Sequence, residues 1–197
     1  MLEAERLTKV TAAAAEEVRV LAAAGGFPLP AGGELTPPQF LNRLLAGKDL
    51  DNAVKFMAFA LPHREAVWWA CGCARMELNG TEPEPVLAAL QAAETWVRYP
   101  TDPNRRAALT RAQATDFRSP AAWAAMAAFW SGGSMSPVDQ PEVPAPAHLR
   151  GVAVAGAVGL AAVQSDPLRA DEKRERFIAA AVDIANGGTG RKPPATG

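Results

Sequence analysis

The hydrophobic positions of this chain recur at the spacing of an α-helix. In segment 50–61, apolar residues stand three or four positions apart, at Leu50, Ala53, Val54, Met57 and Leu61. That pattern predicts an amphipathic helix with one face turned toward a core. Similar stripes recur along the rest of the chain, separated by short Gly- and Pro-containing breaks. The pattern therefore predicts an all-α protein.

Capping residues and helix breakers predict where each helix begins and ends. The first helix is predicted from about residue 3 to residue 24, closed by Gly25 and Gly26. The later helices are predicted to begin at residues that cap or open a first turn. These starts are Thr36-Pro37, Asp49, Pro62, Pro83 or Pro85, Asp102-Pro103, Ser119-Pro120, about residue 147, and Asp166-Pro167.

Composition supports the same fold class. Alanine, the strongest helix former, makes up about a fifth of the chain, whereas isoleucine occurs only at Ile178 and Ile184. We predict a single all-α domain over residues 1–186, either a helical bundle or a short α-α superhelix of seven to nine helices. Residues 132–147 form a Pro-rich loop, a functional arm or an extended strap, and residues 187–197 are predicted to be a disordered tail.

Charge and hydropathy restrict which partners and which cellular location we expect for the protein. The net charge of -1 and the pI near 6.1 give no support for a nucleic-acid-binding face. The acidic N-terminus does not resemble a secretory signal, and the uncharged apolar run 151–163 is shorter than the roughly 20 residues of a membrane span. We expect a cytoplasmic protein with reduced thiols, no membrane insertion and no cofactor. The sequence leaves the oligomeric state open.

No catalytic or metal-binding residues are predicted. Cys71 and Cys73 are two positions apart, which places them roughly 200° apart around a helix, so a shared metal site is disfavoured. His63 and Cys71 are two turns apart, about 12 Å along the axis, too far for a direct nucleophile–base pair. Both cysteines are expected to pack as small apolar side chains.

The segment from Ala66 to Ala74 is apolar on every side, so it is predicted to be a buried helix at the centre of the fold. Arg64 and Glu65 precede Trp68 and Trp69 within it. Two interpretations stay open: the charged pair bridges neighbouring helices at the edge of the core, or it belongs to a polar pocket rimmed by tryptophan.

Trp130 stands directly before the glycines of the Pro-rich loop. It is predicted either to clamp that loop or to form a partner-binding groove with it. The candidate partner-binding residues are therefore Arg64, Glu65, Trp68, Trp130, Ser131 and Met135.

Two segments also carry a family resemblance, namely 59–75 (FALPHREAVWWACGCAR) and 121–135 (AAWAAMAAFWSGGSM). With the Pro-rich loop and the following VAGAV run, they resemble an uncharacterised family of small helical bacterial proteins. The resemblance spans about residues 35–185. Members of that family are often encoded near type VI secretion genes, beside spike and forkhead-associated components.

The resemblance implies a non-enzymatic cytoplasmic adaptor or accessory protein that binds a component or effector of the secretion apparatus. Two alternatives remain open. One is an immunity protein against a cognate toxin, which the near-neutral net charge does not favour. The other is a small helical enzyme that uses His63, Glu65 or Cys71 in a tryptophan-lined pocket.

Overall fold

The computed structural model describes residues 3–191. Within that range the chain forms nine α-helices and no strand, which confirms the predicted all-α class. A short 3-10 turn at Pro167–Arg169 precedes the last helix. The helices are α1 (Ala15–Ala24), α2 (Pro37–Ala46), α3 (Leu50–Ala60), α4 (His63–Met76), α5 (Glu84–Arg98), α6 (Asp102–Gln113), α7 (Pro120–Phe129), α8 (Leu149–Val163) and α9 (Ala170–Ala185).

Helix α7, rather than α4, lies at the centre of the bundle. Every residue of α7 except Trp123 is buried, and α4, α5, α6 and α8 all pack around it. Helix α4 was predicted to be buried on all sides, but Trp68 and Gly72 leave part of its surface half-exposed. The many alanines of α7 explain the difference, because small side chains let four neighbours approach one short helix closely.

Helix α8 packs against α3, α4, α7 and α9 through a surface of small residues. Gly151 faces the ring of Phe59 so closely that a β-carbon there would overlap the ring. The absence of a side chain at Gly151 therefore lets α8 approach α3 closely at this position. Phe59 also contacts the position of Gly25, at the end of α1.

The N-terminal segment is not the helix predicted from residue 3. Helix α1 begins at Ala15, because the Glu17 carboxylate accepts hydrogen bonds from the amides of Ala13 and Ala14 and caps it there. The preceding residues run as a strap over the ends of α2 and α9. Its backbone exchanges hydrogen bonds with Asn42, and Lys9 N donates to Ala185 O at 2.8 Å.

This strap satisfies the Ala185 carbonyl, which the end of α9 leaves unpaired. If these residues formed a helix, their backbone amides would donate to carbonyls of that helix and not to α9. The partners lie about 180 positions away in the sequence, so local spacing alone gave no sign of them.

A buried ion pair fastens α9 to the end of α4. Lys173 Nζ lies 2.6 Å from a Glu77 carboxylate oxygen, and the two side chains are only 6% and 10% exposed. Ser165, in the α8–α9 connection, joins both groups: its hydroxyl donates to Glu77 and accepts from Lys173. The network therefore fixes three chain segments relative to one another.

In the described part of the chain, no single helix has both the length and the apolar composition needed to cross a membrane. By the same measures, α8 together with Pro167–Ala185 passes as a pair that is bent by 114°.

Candidate partner-binding surface

The Pro-rich loop is fixed to α6 by Arg105, which is 97% buried although it is charged. Its Nη1 donates to Phe129 O at 2.9 Å, and its Nη2 donates to Ser134 O at 2.7 Å and to Asp102. The guanidinium lies 4.7 Å above the Phe129 ring centre. A side chain at Gly133 would press against the same guanidinium, so the loop passes directly over Arg105.

Hydrogen bonds within the loop hold its two arms together. The Ser134 hydroxyl accepts from the amides of Ser136 and Val143, and Met135 N donates to Val143 O at 2.7 Å. Arg106, next to Arg105 on α6, donates to Ser136 O. Of the two predicted forms, arm or strap, the structure has a strap fastened to the surface.

Trp130, Ser131 and Met135 therefore form part of a packed corner. Trp130 follows α7 and is half-buried against the core, as is Met135. Ser131 is buried, and its hydroxyl donates to Ala127 O at 2.6 Å. Ser131 O also lies 2.7 Å from Nδ1 of His63, which connects this corner to the start of α4.

Arg64 and Glu65 bridge α4 to its neighbours at the edge of the core. Arg64 Nε donates to Val97 O near the end of α5, at 3.0 Å. Glu65 pairs with Lys9 of the N-terminal strap at 2.9 Å. Partial burial raises the pKa of Glu65, but the hydrogen bond from Lys9, a backbone hydrogen bond and the positive charges of Lys9 and Arg64 together leave the pKa below its usual value.

The two adjacent tryptophans of α4 have different environments. Trp69 is 1% exposed and donates from Nε1 to Phe177 O of α9 at 2.8 Å. Trp68 is half-buried, and its indole forms one wall of an open cleft between α4 and α9. One tryptophan is thus part of the core, and the other is available on the surface.

The α4–α9 cleft has a volume of about 270 Å³. Its walls are mostly apolar, and Arg75 and Glu94 form a two-pronged ion pair at its edge, at 2.7 and 2.8 Å. That pairing raises the pKa of Arg75. The cleft is lined by Trp68, Trp69, Gly72, Arg75, Met76, Glu94, Ala180, Ile184, Thr189, Gly190 and Arg191.

The chain's own residues 189–191 lie along this cleft. Thr189 O accepts a hydrogen bond from Nε1 of Trp68 at 2.9 Å, and the Arg191 guanidinium lies 5.4 Å from the centre of a Trp68 ring. The same segment is tied to α9, because the amides of Gly188 and Gly190 donate to Asp183. Residues 187–191, predicted to begin a disordered tail, therefore pack against α4 and α9. The remainder of that predicted tail, residues 192–197, lies outside the described residues.

Sequence reasoning identified Trp68 but missed the residues opposite it. Of the six candidate residues, Trp68 alone lines the α4–α9 cleft; the other five occupy the loop corner and the edge of the core. Ala180 and Ile184 of α9 face Trp68 only because the helices are packed together, which no local pattern shows. The partner-binding role of the six residues stays a prediction.

Both cysteines are fully buried, as expected. Burial raises the pKa of the Cys71 thiol, and of the Cys73 thiol, well above the usual value. Both thiols are therefore protonated at neutral pH in the folded protein, a form that is a poor nucleophile and a poor metal ligand. Within residues 3–191, no three His, Cys, Asp or Glu side chains converge as metal ligands would.

Comparison with known proteins gives one family and no individual relative. No curated protein and no solved structure matches the chain significantly. A family model described as a family of unknown function, DUF6931, matches residues 40–185. The matched region runs from α2 to the end of α9 and includes the Pro-rich loop and the helical walls of the α4–α9 cleft, whereas residues 189–191 lie outside it. This chain therefore belongs to the DUF6931 family of unknown function.

Proposed function

We propose that this protein is a non-enzymatic cytoplasmic adaptor that binds a protein partner through the α4–α9 cleft. The observation that carries the proposal is the position of residues 189–191. In that position a backbone carbonyl accepts from the Trp68 indole and a cation lies over its ring. A short segment of a partner, with an Arg or Lys in the place of Arg191, fits the same contacts.

The cleft has properties expected of a peptide-binding site. Its walls are mainly apolar, and one tryptophan N–H provides a directional hydrogen bond. At the edge of the cleft, the positive charge of Arg75 is neutralised by its ion pair with Glu94. A partner segment binds here by taking over the Trp68 hydrogen bond from Thr189.

The chemistry of the candidate catalytic side chains supports a binding role. The Cys71 thiol is buried and protonated, Glu65 is engaged by Lys9, and His63 Nδ1 is engaged by Ser131 O. We propose that the partner is a component or effector of a type VI secretion apparatus. This step rests on the sequence resemblance described above.

Gly72 offers a way to test the proposal without disturbing the fold. It lies in the wall of the cleft, and a β-carbon there would meet no atom within 4 Å. Gly159 of α8 has the same open surroundings but does not line the cleft, so it provides a matched control. Gly72→Leu should fill the cleft, whereas Gly159→Leu should leave it open.

The experiment is affinity purification of the tagged wild type and both variants from a host that carries the full secretion locus. The expected result is that a component encoded in that locus copurifies with wild type and Gly159→Leu, and is depleted with Gly72→Leu. Recovery of no secretion component with wild type, or equal recovery with Gly72→Leu, would overturn the proposal.

A further inference from the structure

A second concavity lies away from the α4–α9 cleft, where α1 and the residues before it face the α3–α4 junction. Its volume is about 520 Å³, within the range of small-molecule sites. Most of its wall is apolar, including Val18, Leu21 and Phe59. Arg150 and His63 bring basic groups to the same wall. We call this concavity the Arg150 groove.

Arg150 is a buried cation without a counter-ion among the described residues. It is 5% exposed, and no carboxylate of residues 3–191 lies within 4 Å of it. Nη1 donates to Leu61 O at 2.9 Å, while Nε is buried with no hydrogen-bond partner. Burial lowers the pKa of Arg150 to about 10, so the group is still charged at neutral pH.

A purely structural role accounts for part of this arrangement. Leu61 ends α3, and a cation beside the last carbonyls of a helix is favourable. One hydrogen bond to a carbonyl nevertheless uses one of five guanidinium donors and leaves a full positive charge uncompensated. A buried charge of this kind is costly unless an anion pairs with it. The unused donors and the adjoining groove point to a ligand.

His63 brings an imidazole ring to the same wall. Its Nδ1 lies 2.7 Å from Ser131 O, and because a carbonyl oxygen only accepts, Nδ1 carries the proton. Nε2 of the neutral imidazole is then an acceptor, so Arg150 is the group that pairs with an anion and His63 is a reporter beside it. Glu17 also lines the groove, but its carboxylate already accepts the amides of Ala13 and Ala14, which offsets part of its repulsion of an anion.

We propose that the Arg150 groove binds a small-molecule carboxylate that has an apolar tail. The carboxylate pairs with the guanidinium of Arg150, and the tail lies against the apolar wall formed by Val18, Leu21 and Phe59. Such a ligand supplies the missing counter-ion and fills the apolar part of the groove. This site is separate from the cleft of the proposed adaptor function, since the two share no lining residue.

The test uses the full chain and a matched pair of probes, 4-phenylbutyrate and its neutral amide, titrated while NMR follows the Arg150 Nε–H and the His63 imidazole. The expected result is saturable shifts of both signals with the carboxylate and much smaller shifts with the amide. Inorganic phosphate is titrated in the same way as a third probe. Equal shifts with carboxylate and amide, or larger shifts with phosphate, would overturn the assignment.

Variants give an independent readout. Arg150→Gln should weaken binding of 4-phenylbutyrate by about tenfold or more, because a charge-assisted contact is lost. Arg43→Gln is the control: Arg43 also donates to a backbone carbonyl, that of Ala31, but lies outside the groove. Unchanged binding in Arg150→Gln, or an equal loss in Arg43→Gln, would contradict the proposal. If Arg150→Gln does not fold, the probe pair on the wild type decides the question alone.

Discussion

The Trp68 indole donates its N–H to the carbonyl oxygen of Thr189, 2.9 Å away and 121 positions later in the sequence. This bond connects the exposed face of α4 to the segment that follows α9. Trp68 was identifiable in the sequence as part of a paired-tryptophan motif, whereas Thr189 lay in a stretch that looked like a tail. Trp68 and Thr189 belong to two facing walls of the α4–α9 cleft.

We predict that Trp68→Phe releases residues 188–190 without unfolding the protein. The ring remains, but the hydrogen bond to Thr189 is lost, at a cost of about 1 kcal/mol. Hydrogen exchange at the amides of Gly188 and Gly190 should accelerate about fivefold. Trp123→Phe removes a similar indole bond, to Phe117 O at 3.0 Å, and should leave these amides unchanged. Equal exchange rates in the wild type and Trp68→Phe would show that the bond does not hold the segment.

Substituting alanine for two helical glycines should change the free energy of unfolding in opposite directions. Gly72→Ala adds a β-carbon in open space and should raise the free energy of unfolding by about 0.5–1 kcal/mol. Gly151→Ala forces a β-carbon against Phe59 and should lower it by about 1–3 kcal/mol. Urea denaturation of both variants checks the prediction. Stabilisation by Gly151→Ala would mean that α3 and α8 do not approach as closely as described.

The buried pair of Lys173 and Glu77 predicts a strongly non-additive double mutant. Lys173→Met leaves the Glu77 carboxylate buried without its counter-ion and should cost about 3–5 kcal/mol. Adding Glu77→Leu removes the stranded charge and should restore most of the stability. The comparison is made by denaturant unfolding of the wild type, both single variants and the double variant. Additive losses would show that the two groups act independently.

Some boundaries of the fold were predictable because their signals are local. Thr36 and Pro37 open α2, Asp49 caps α3, and Ser119 caps α7 by accepting a hydrogen bond from Ala122 N, all as predicted. A short-range hydrogen bond or a fixed proline φ determines each of these ends. The sequence therefore sufficed for these three helix starts and for the fold class.

Other features were not predictable because they depend on distant partners. Arg105 belongs to the most polar-looking helix, yet it is buried under the Pro-rich loop, where it meets Phe129 O and Ser134 O. Nothing near it in the sequence separates it from exposed arginines such as Arg111. The strap before α1 is similar, because its alanines favour helix while its hydrogen bonds with Ala185 require a non-helical path.

Asp102 predicts a pH dependence of stability. Hydrogen bonds from Arg106 and then Arg105 hold the pKa of Asp102 below its usual value. A carboxyl group whose pKa is lower in the folded state stabilises the fold above its unfolded pKa of about 4, and this contribution disappears as the pH falls through the folded pKa. The free energy of unfolding of Asp102→Asn should therefore be lower than that of the wild type at pH 7, and the difference should become smaller as the pH falls. A difference that stays constant down to pH 3 would contradict this account.

The central claim is that the α4–α9 cleft contacts a partner protein, and site-specific photocrosslinking tests it most directly. A photoreactive benzoylphenylalanine is placed at position 72 in the cleft or at position 159 outside it, in cells that carry the secretion locus, and adducts are identified by mass spectrometry. We predict a covalent adduct between position 72 and a component of the secretion apparatus, and none at position 159. Absence of such an adduct at position 72, or the same adducts at both positions, would contradict the claim.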